Sequence, residues 1–327
     1  MMEKAVTDSM KSLEALRQQR LEIVDGSWKE ESQMENDYSI SIETEKAATK
    51  GVKSIPSLGD LHERTKAIVE AARRSEEERL ETGVIHIPVC RDDKRGAPNS
   101  FLRSALFAAI QSKDRVDFKE KILFSQDGIT IRYTGEQLNQ EDLIVWLTLV
   151  DLAKHHPLGT ECSFTANGIL KHMGMDTSGQ SHERLRKSIL RMTACAVVIK
   201  SDNYSYGGSI IGDFTIREHD KSYMVTLNRK IIKLFNEADW TGLEWKQRGL
   251  LSRKPLALAL HGYYSSHEKP LAVSIEFLLS ITGSMNKQKS DFKRKTRTAL
   301  EELIKIDFLK SYEIDDNIVK VERIAKL

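Results

Sequence analysis

Cysteine is scarce in this chain and scattered: Cys90, Cys162 and Cys195 stand far apart, with no CxxC spacing. That excludes both a disulfide framework and a zinc knuckle. No apolar run approaches membrane-spanning length, and the opening Met-Met-Glu-Lys-Ala-Val-Thr-Asp has no signal-peptide core. A soluble, cytoplasmic protein is expected. An excess of one charge is missing as well, with 50 basic against 48 acidic side chains. Gly207-Gly208 is read as a hairpin turn and has no Lys-Ser/Thr to make a phosphate loop. His182-Glu183 lacks the second His of a zinc-protease helix. No nucleotide site, metal cluster or nucleophile–base set is found, so a non-enzymatic protein without cofactor is expected.

What is present is uneven charge, and its distribution says more than its sum. Lys287 to Arg297 holds six Lys or Arg against Asp291 alone, while Glu76-Glu77-Glu78 lies in an acidic N-terminal region. The length of 327 residues suggests two domains and a tail.

One short phrase occurs twice. Thr165-Ala-Asn-Gly-Ile169-Leu170-Lys-His-Met-Gly174 and Ser274-Ile-Glu-Phe-Leu278-Leu279-Ser-Ile-Thr-Gly283 share a hydroxyl residue, a paired apolar step and a final glycine. That spells an N-capped two-turn helix stopped at a residue that tolerates positive φ. A Lys/Arg-rich helical pattern follows each copy, from Ser181 to Arg191 and from Lys287 to Arg297, and a β-hairpin follows each of those. The order describes a winged helix-turn-helix, whose second helix enters a DNA major groove. The fold class expected is α+β, with two tandem winged-helix domains behind an N-terminal arm.

Residues 1–59 are polar and charged, which predicts a largely disordered arm. Residues 60–98 predict a charged helix (Asp60 to Thr82) and a linker (Gly83 to Pro98). The first winged-helix domain is placed at 99–228 and the second at 229–327. Within the first, Lys121–Phe124 and Ile129–Tyr133 form a hairpin about Asp127-Gly128. Asn139-Gln-Glu-Asp142 resembles a capping box opening a helix that ends before Pro157, with His155-His156 as its C-terminal cap. The wing is read as Val197–Ile199, Ser209–Ile216 and Tyr223–Leu227, turning at Tyr206-Gly207-Gly208 and at His219-Asp220-Lys221. In the second domain Pro255 opens a helix, and Phe308–Ile314 pairs with Ile318–Ile324.

The candidate DNA contacts follow from helical periodicity. Leu185, Ile189 and Met192 share one face of the first basic helix, leaving Arg184, Lys187 and Arg191 opposite. Merely solvated charges would give the same pattern; the turn before and the hairpin after favour groove or phosphate contact. In the second, Phe292, Ala299, Leu300 and Leu303 form the inner stripe and Arg294, Arg297 and Thr298 point away. Lys287, Lys289, Lys293 and Lys295 cluster at its start. Arg can bond guanine O6 and N7 together, and Lys can neutralise phosphate.

Gly96-Ala-Pro-Asn99, Arg103-Ser-Ala-Leu-Phe107, Ile131-Arg-Tyr-Thr-Gly135, Glu141-Asp-Leu-Ile-Val-Trp146 and Tyr264-Ser-Ser-His267-Glu resemble the TrfA family of plasmid replication initiators. The similarity runs from about residue 96 to 327. It implies a two-winged-helix protein that binds repeated origin sequences (iterons), opens the adjacent duplex and loads the host replicative helicase with the host initiator protein. A homodimer with an active monomer is also expected. Family members carry a sliding-clamp motif of the Gln-Leu-x-Leu-Phe kind just upstream. Here that stretch is Gly83-Val-Ile-His-Ile-Pro-Val89, with no Gln and no terminal Phe, while Gln19-Arg-Leu21-Glu-Ile23-Val24 fits loosely elsewhere. Two other readings remain: a winged-helix transcriptional repressor, and a rolling-circle nicking initiator using Tyr263 or Tyr264. The His flanking those tyrosines are six residues apart on an apolar helical stretch, which favours core packing. Trp28, Trp146, Trp240 and Trp245 are read as core or rim anchors.

Overall fold

The computed structural model describes residues 90–324 except 127, 155–159, 202–204, 218 and 236–239, with the side chain of Lys233 also left out. The arm at 1–59, the helix at 60–82, Trp28, the clamp-like stretches and the His155-His156 cap therefore lie outside the described residues. The architecture is mixed α/β. The chain runs through β1 (Lys94–Pro98), α1 (Asn99–Leu102), β2 (Asp117–Leu123), β3 (Thr130–Glu136) and α2 (Gln140–Ala153). Next come β4 (Glu161–Thr165), α3 (Ala166–His172), α4 (Gly179–Ala194), β5 (Ala196–Lys200) and β6 (Ser205–Gly208). A hairpin of β7 (Ile211–Arg217) and β8 (Ser222–Leu227) leads to α5 (Arg229–Ile232), β9 (Trp240–Glu244), α6 (Trp245–Leu250) and α7 (Pro255–Ser265). The last elements are β10 (Val273–Ser274), α8 (Ile275–Ile281), α9 (Lys289–Lys305), β11 (Leu309–Asp315) and β12 (Ile318–Arg323).

Local chemistry explains several of these boundaries. Asn139 caps α2 by accepting from the Glu141 and Asp142 amides (3.0 and 3.3 Å), and Asp142 accepts from the Asn139 amide at 3.0 Å. This reciprocal box satisfies amides that have no partner inside the helix. Pro255 opens α7, where its missing N–H costs nothing.

Two three-stranded antiparallel sheets share one plan, β4-β8-β7 and β10-β12-β11. In each, the strand before the short helix pairs with the second strand of the later hairpin. The sheet β2-β3-β5-β6 is an addition to the first copy alone. Here the structure corrects the wing. Tyr206-Gly207-Gly208 is no turn: it lies in β6, with Val198 opposite Gly207 and Val197 opposite Gly208. Tyr206 fills the core from this strand, and its hydroxyl donates to the Ser209 carbonyl at 2.6 Å.

Two hydrophobic cores form. The first centres on Trp146, whose ring lies 4.9 Å from Phe101 and stacks on Phe235 at 6.0 Å, over Leu185, Ile189, Met192 and Val225. Trp240 and Trp245 pack at its edge. The second gathers Leu258, Tyr264, Leu278, Phe292, Leu300 and Val321. The expected boundary at residue 229 needs correction. Ile231, Ile232, Leu234, Phe235 and Leu243 belong to the first core, because β9 pairs with β1 and carries the intervening chain back. The same pairing makes a strand of Lys94–Pro98, which the sequence suggested was linker.

The cores meet along a seam. Ile144 of α2 packs on the second core, and buried Arg248 donates to Gln140 Oε1 (3.3 Å) and the Leu258 carbonyl (3.2 Å). Burial without a paired carboxylate among the described residues pushes the Arg248 guanidinium down to about 10.

Candidate nucleic-acid interface

The two short helices are built alike. Thr165 Oγ1 accepts from the Gly168 amide at 3.1 Å, and Ser274 Oγ accepts from the Phe277 amide at 3.0 Å. At the far end of α3 the Met175 amide reaches the Leu170 carbonyl and the Gly174 amide reaches that of Lys171, both at 2.9 Å. At the end of α8 the Ser284 amide bonds Leu279 (3.2 Å) and the Gly283 amide bonds Ser280 (3.1 Å). This is the same Schellman closure twice, with φ of +70° at Gly174 and +59° at Gly283. Each turn delivers the chain into a long basic helix, α4 or α9.

The entries to those helices differ. Asp176 binds the Ser178 amide (3.1 Å) and the Ser178 and Ser181 hydroxyls, and these bonds hold its carboxyl down at about 2. Ser178 then caps α4 by accepting from the Ser181 amide at 3.4 Å. No side chain caps α9; instead Asn286 Nδ2 donates to Asp291 at 2.7 Å.

On α4, Leu185, Ile189 and Met192 face the core as the periodicity requires. Lys187 and Arg186 are exposed and share Glu183, at 3.6 and 2.9 Å. Arg184 is half-buried, with its Nε enclosed. Arg191 must be taken off the list of groove contacts. Its side chain is 9% exposed and is held by Asp142 at 2.8 Å and Glu136 at 3.0 Å. An arginine committed to two carboxylates beneath the surface clamps α4 to α2 and β3. Exposed Asn167 and half-buried His182, bonded at 2.8 Å across the α3–α4 turn, are polar groups that charge counting overlooked.

On α9, Phe292, Thr296, Ala299, Leu300 and Leu303 are buried. Asp291 gathers Arg294 (2.6 Å) and Lys295 (2.9 Å), and the hydrogen bonds from Lys295, Asn286 and Arg294 hold its carboxyl far below the usual carboxylate range. Lys289 pairs with Glu276 of α8 at 2.8 Å, and Lys293 donates to the Asp316 carbonyl at the hairpin tip. Lys287, Arg297 and Thr298 are exposed, and neither Lys287 nor Arg297 has an ion pair among the described residues. Surface pairs of this kind contribute about 0–1 kcal/mol, so a polyanion can displace them. The hairpins differ at their tips: Arg217, His219 and Lys221 stand around the first, Asp315, Asp316 and Asn317 at the second. A residue-type scan beside each hairpin turn would have shown this.

Tyr263 and Tyr264 are 4% and 0% exposed, on α7 inside the second core. The His261 ring packs 4.4 Å from Phe308. This is the core packing read from the apolar stretch, and a tyrosine so enclosed cannot reach a phosphodiester. The buried Tyr264 hydroxyl has no hydrogen-bond partner among the described residues. Tyr264→Phe should therefore leave stability unchanged or raise it by up to about 1 kcal/mol, because an unsatisfied buried polar group is removed. Urea titration checks this, with supercoiled plasmid and a divalent cation as the companion assay. Nicking by the parent that the variant loses would restore the nucleophile reading.

A curated plasmid replication initiator protein, TrfA from Escherichia coli, is 26% identical over 240 residues, covering 71% of this chain and 62% of that protein. The chain thus spans less than two thirds of that relative. Among solved structures, domains 2 and 3 of RctB align with a TM-score of 0.49 at 12% identity, over 70% of this chain and 99% of that one. The Pi initiator protein, solved in complex with iteron DNA, aligns at 0.42 and 13% identity, over 57% and 95%. The TrfA protein family model matches residues 63–323, and the chain belongs to that family.

Proposed function

We propose that this chain starts plasmid replication by binding iterons in double-stranded origin DNA through two tandem winged-helix units. The observation that carries the reading is the duplicated assembly: an N-capped short helix, a Schellman turn, a basic helix and a hairpin, twice in one chain. The units are drawn at 94–244 and 245–324, following the two cores. Helices α4 and α9 enter successive stretches of major groove, and exposed cations neutralise phosphates. Arg184, Lys187, Lys287, Lys289, Lys293, Arg294, Lys295, Arg297 and Thr298 are the contacts, Arg191 being a clamp. Function then lies in binding and deforming DNA rather than in bond-making chemistry. Duplex opening, recruitment of the host helicase and host initiator, and any sliding-clamp or homodimer contact extend this reading from the family.

The test is footprinting of the full chain on the DNA flanking its own gene. Protection of several direct repeats is expected, followed by permanganate reactivity in an adjacent A·T-rich stretch. Protection of one operator without melting would favour the repressor reading, and no protected sequence at all would sink both.

A further inference from the structure

The two turns share one sequence pattern and one closure, yet they sit in different surroundings. A Cβ added at Gly174 would meet nothing within 4 Å. One added at Gly283 would lie 3.0 Å from Ala108 Cβ, 3.2 Å from Ala105 Cβ and 3.3 Å from the Ala105 carbonyl oxygen. The second turn is thus pressed against the 105–109 segment of the first core. Neighbouring contacts bind the same place. The Ala109 amide donates to the Thr282 carbonyl at 2.7 Å, and Phe277 of α8 meets Phe124 edge-on at 5.6 Å.

We infer that Gly283 is a positioning residue for DNA recognition. Its missing side chain lets the turn ahead of α9 dock on the first unit, and this docking fixes the angle between the two DNA-reading helices. The inference rests on the two-unit DNA-binding reading and adds a specificity mechanism to it. A tether would let each unit find its own half-site at many spacings. A docked turn permits one helical phase, because each inserted base pair rotates the far half-site by about 34–36°. Backbone lies on one side of Gly283 and a methyl group on each of two others, so an added Cβ has no flexible side chain to push aside. The turn and the 105–108 segment must part by a few tenths of an ångström, and α9, which follows the turn, shifts with it.

Gly174 supplies the control. Gly174→Ala and Gly283→Ala carry the same positive-φ strain, but only the second adds a collision at the seam. The measurement is affinity of the full-length protein for its footprinted site and for that site lengthened by two base pairs between half-sites. The parent should lose on the order of 100-fold on the lengthened site, the scale of a lost tethered contact. Gly283→Ala should bind the natural site more weakly and shrink that ratio to about tenfold or less. Gly174→Ala should weaken both sites alike and keep the parent's ratio. A second reading needs no DNA: amide exchange at Ala109 should quicken in Gly283→Ala and stay at the parent rate in Gly174→Ala. Equal ratios for the two variants, or unchanged Ala109 exchange in Gly283→Ala, would overturn the proposal. Absence of any specific site for the parent would remove the functional reading beneath it, and the Ala109 result tells that failure apart from failure of the docking.

Discussion

Asp142→Ala is expected to cost about 3–5 kcal/mol of folding stability, among the largest single-residue effects at the described residues. The carboxylate is fully buried and accepts four hydrogen bonds: from Arg115 Nη1 at 2.8 Å, Arg191 Nη1 at 2.8 Å, Ser188 Oγ at 2.7 Å and the Asn139 amide at 3.0 Å. Removing it leaves two nearly buried guanidinium groups; Glu136, at 3.6 Å from Arg115 and 3.0 Å from Arg191, is half exposed and screened by water. Leaving a buried charge unpaired costs far more than the pair itself contributes. Asp142→Asn should recover little, since its amide N–H₂ would face donors. The same residue ties the cap of α2 to the seating of α4, so DNA binding by the first unit should fail together with its fold. Urea unfolding measures the loss. A change under about 1 kcal/mol would mean that water or other groups satisfy the two arginines.

The largest effect on DNA binding at unchanged stability is expected from Arg297. It is exposed on α9 about two turns past the helix start, and no carboxylate among the described residues competes for it. Arg297→Ala should cost about 1–3 kcal/mol of affinity and relax preference at one base position. Lys287→Ala should weaken all sequences alike and lower the slope of log affinity against log salt by about one unit. Arg294 lies closer to the helix start but is tied to Asp291 at 2.6 Å, and freeing it offsets part of its gain. Arg294→Ala should therefore cost less than Arg297→Ala. Titrations at several salt concentrations with matched and single-mismatch sites separate the three. Equal and sequence-independent losses would show that α9 lies along the backbone rather than in the groove.

These contrasts mark what was legible in the chain. The two helix–turn–helix phrases could be read because each signal is local. A hydroxyl N-cap, apolar residues at helical spacing and a glycine at positive φ all act within about ten residues. The capping box at Asn139 and Asp142 and the inward stripes of α4 and α9 belong to the same class. Arg191 shows where such reading ends. Helical periodicity correctly set it opposite Leu185 and Ile189, yet could not tell that Asp142 and Glu136, arriving from α2 and β3, would cover that side. Tyr206-Gly207-Gly208 was turn-like by composition and became a strand because β5 was waiting beside it.

The sequence alone therefore determined the two helix–turn–helix elements, their order and the cations they carry, since caps, glycines and apolar spacing are enforced by backbone chemistry within a few turns. Tertiary structure alone decided which cations stay exposed, where the two cores part and which glycine is load-free. Those outcomes depend on pairings such as Lys94–Pro98 with Trp240–Glu244 and Gly283 with Ala105, whose partners lie more than a hundred residues apart. No local pattern encodes such a partner; only burial against it, at the expense of chain entropy, selects one from many.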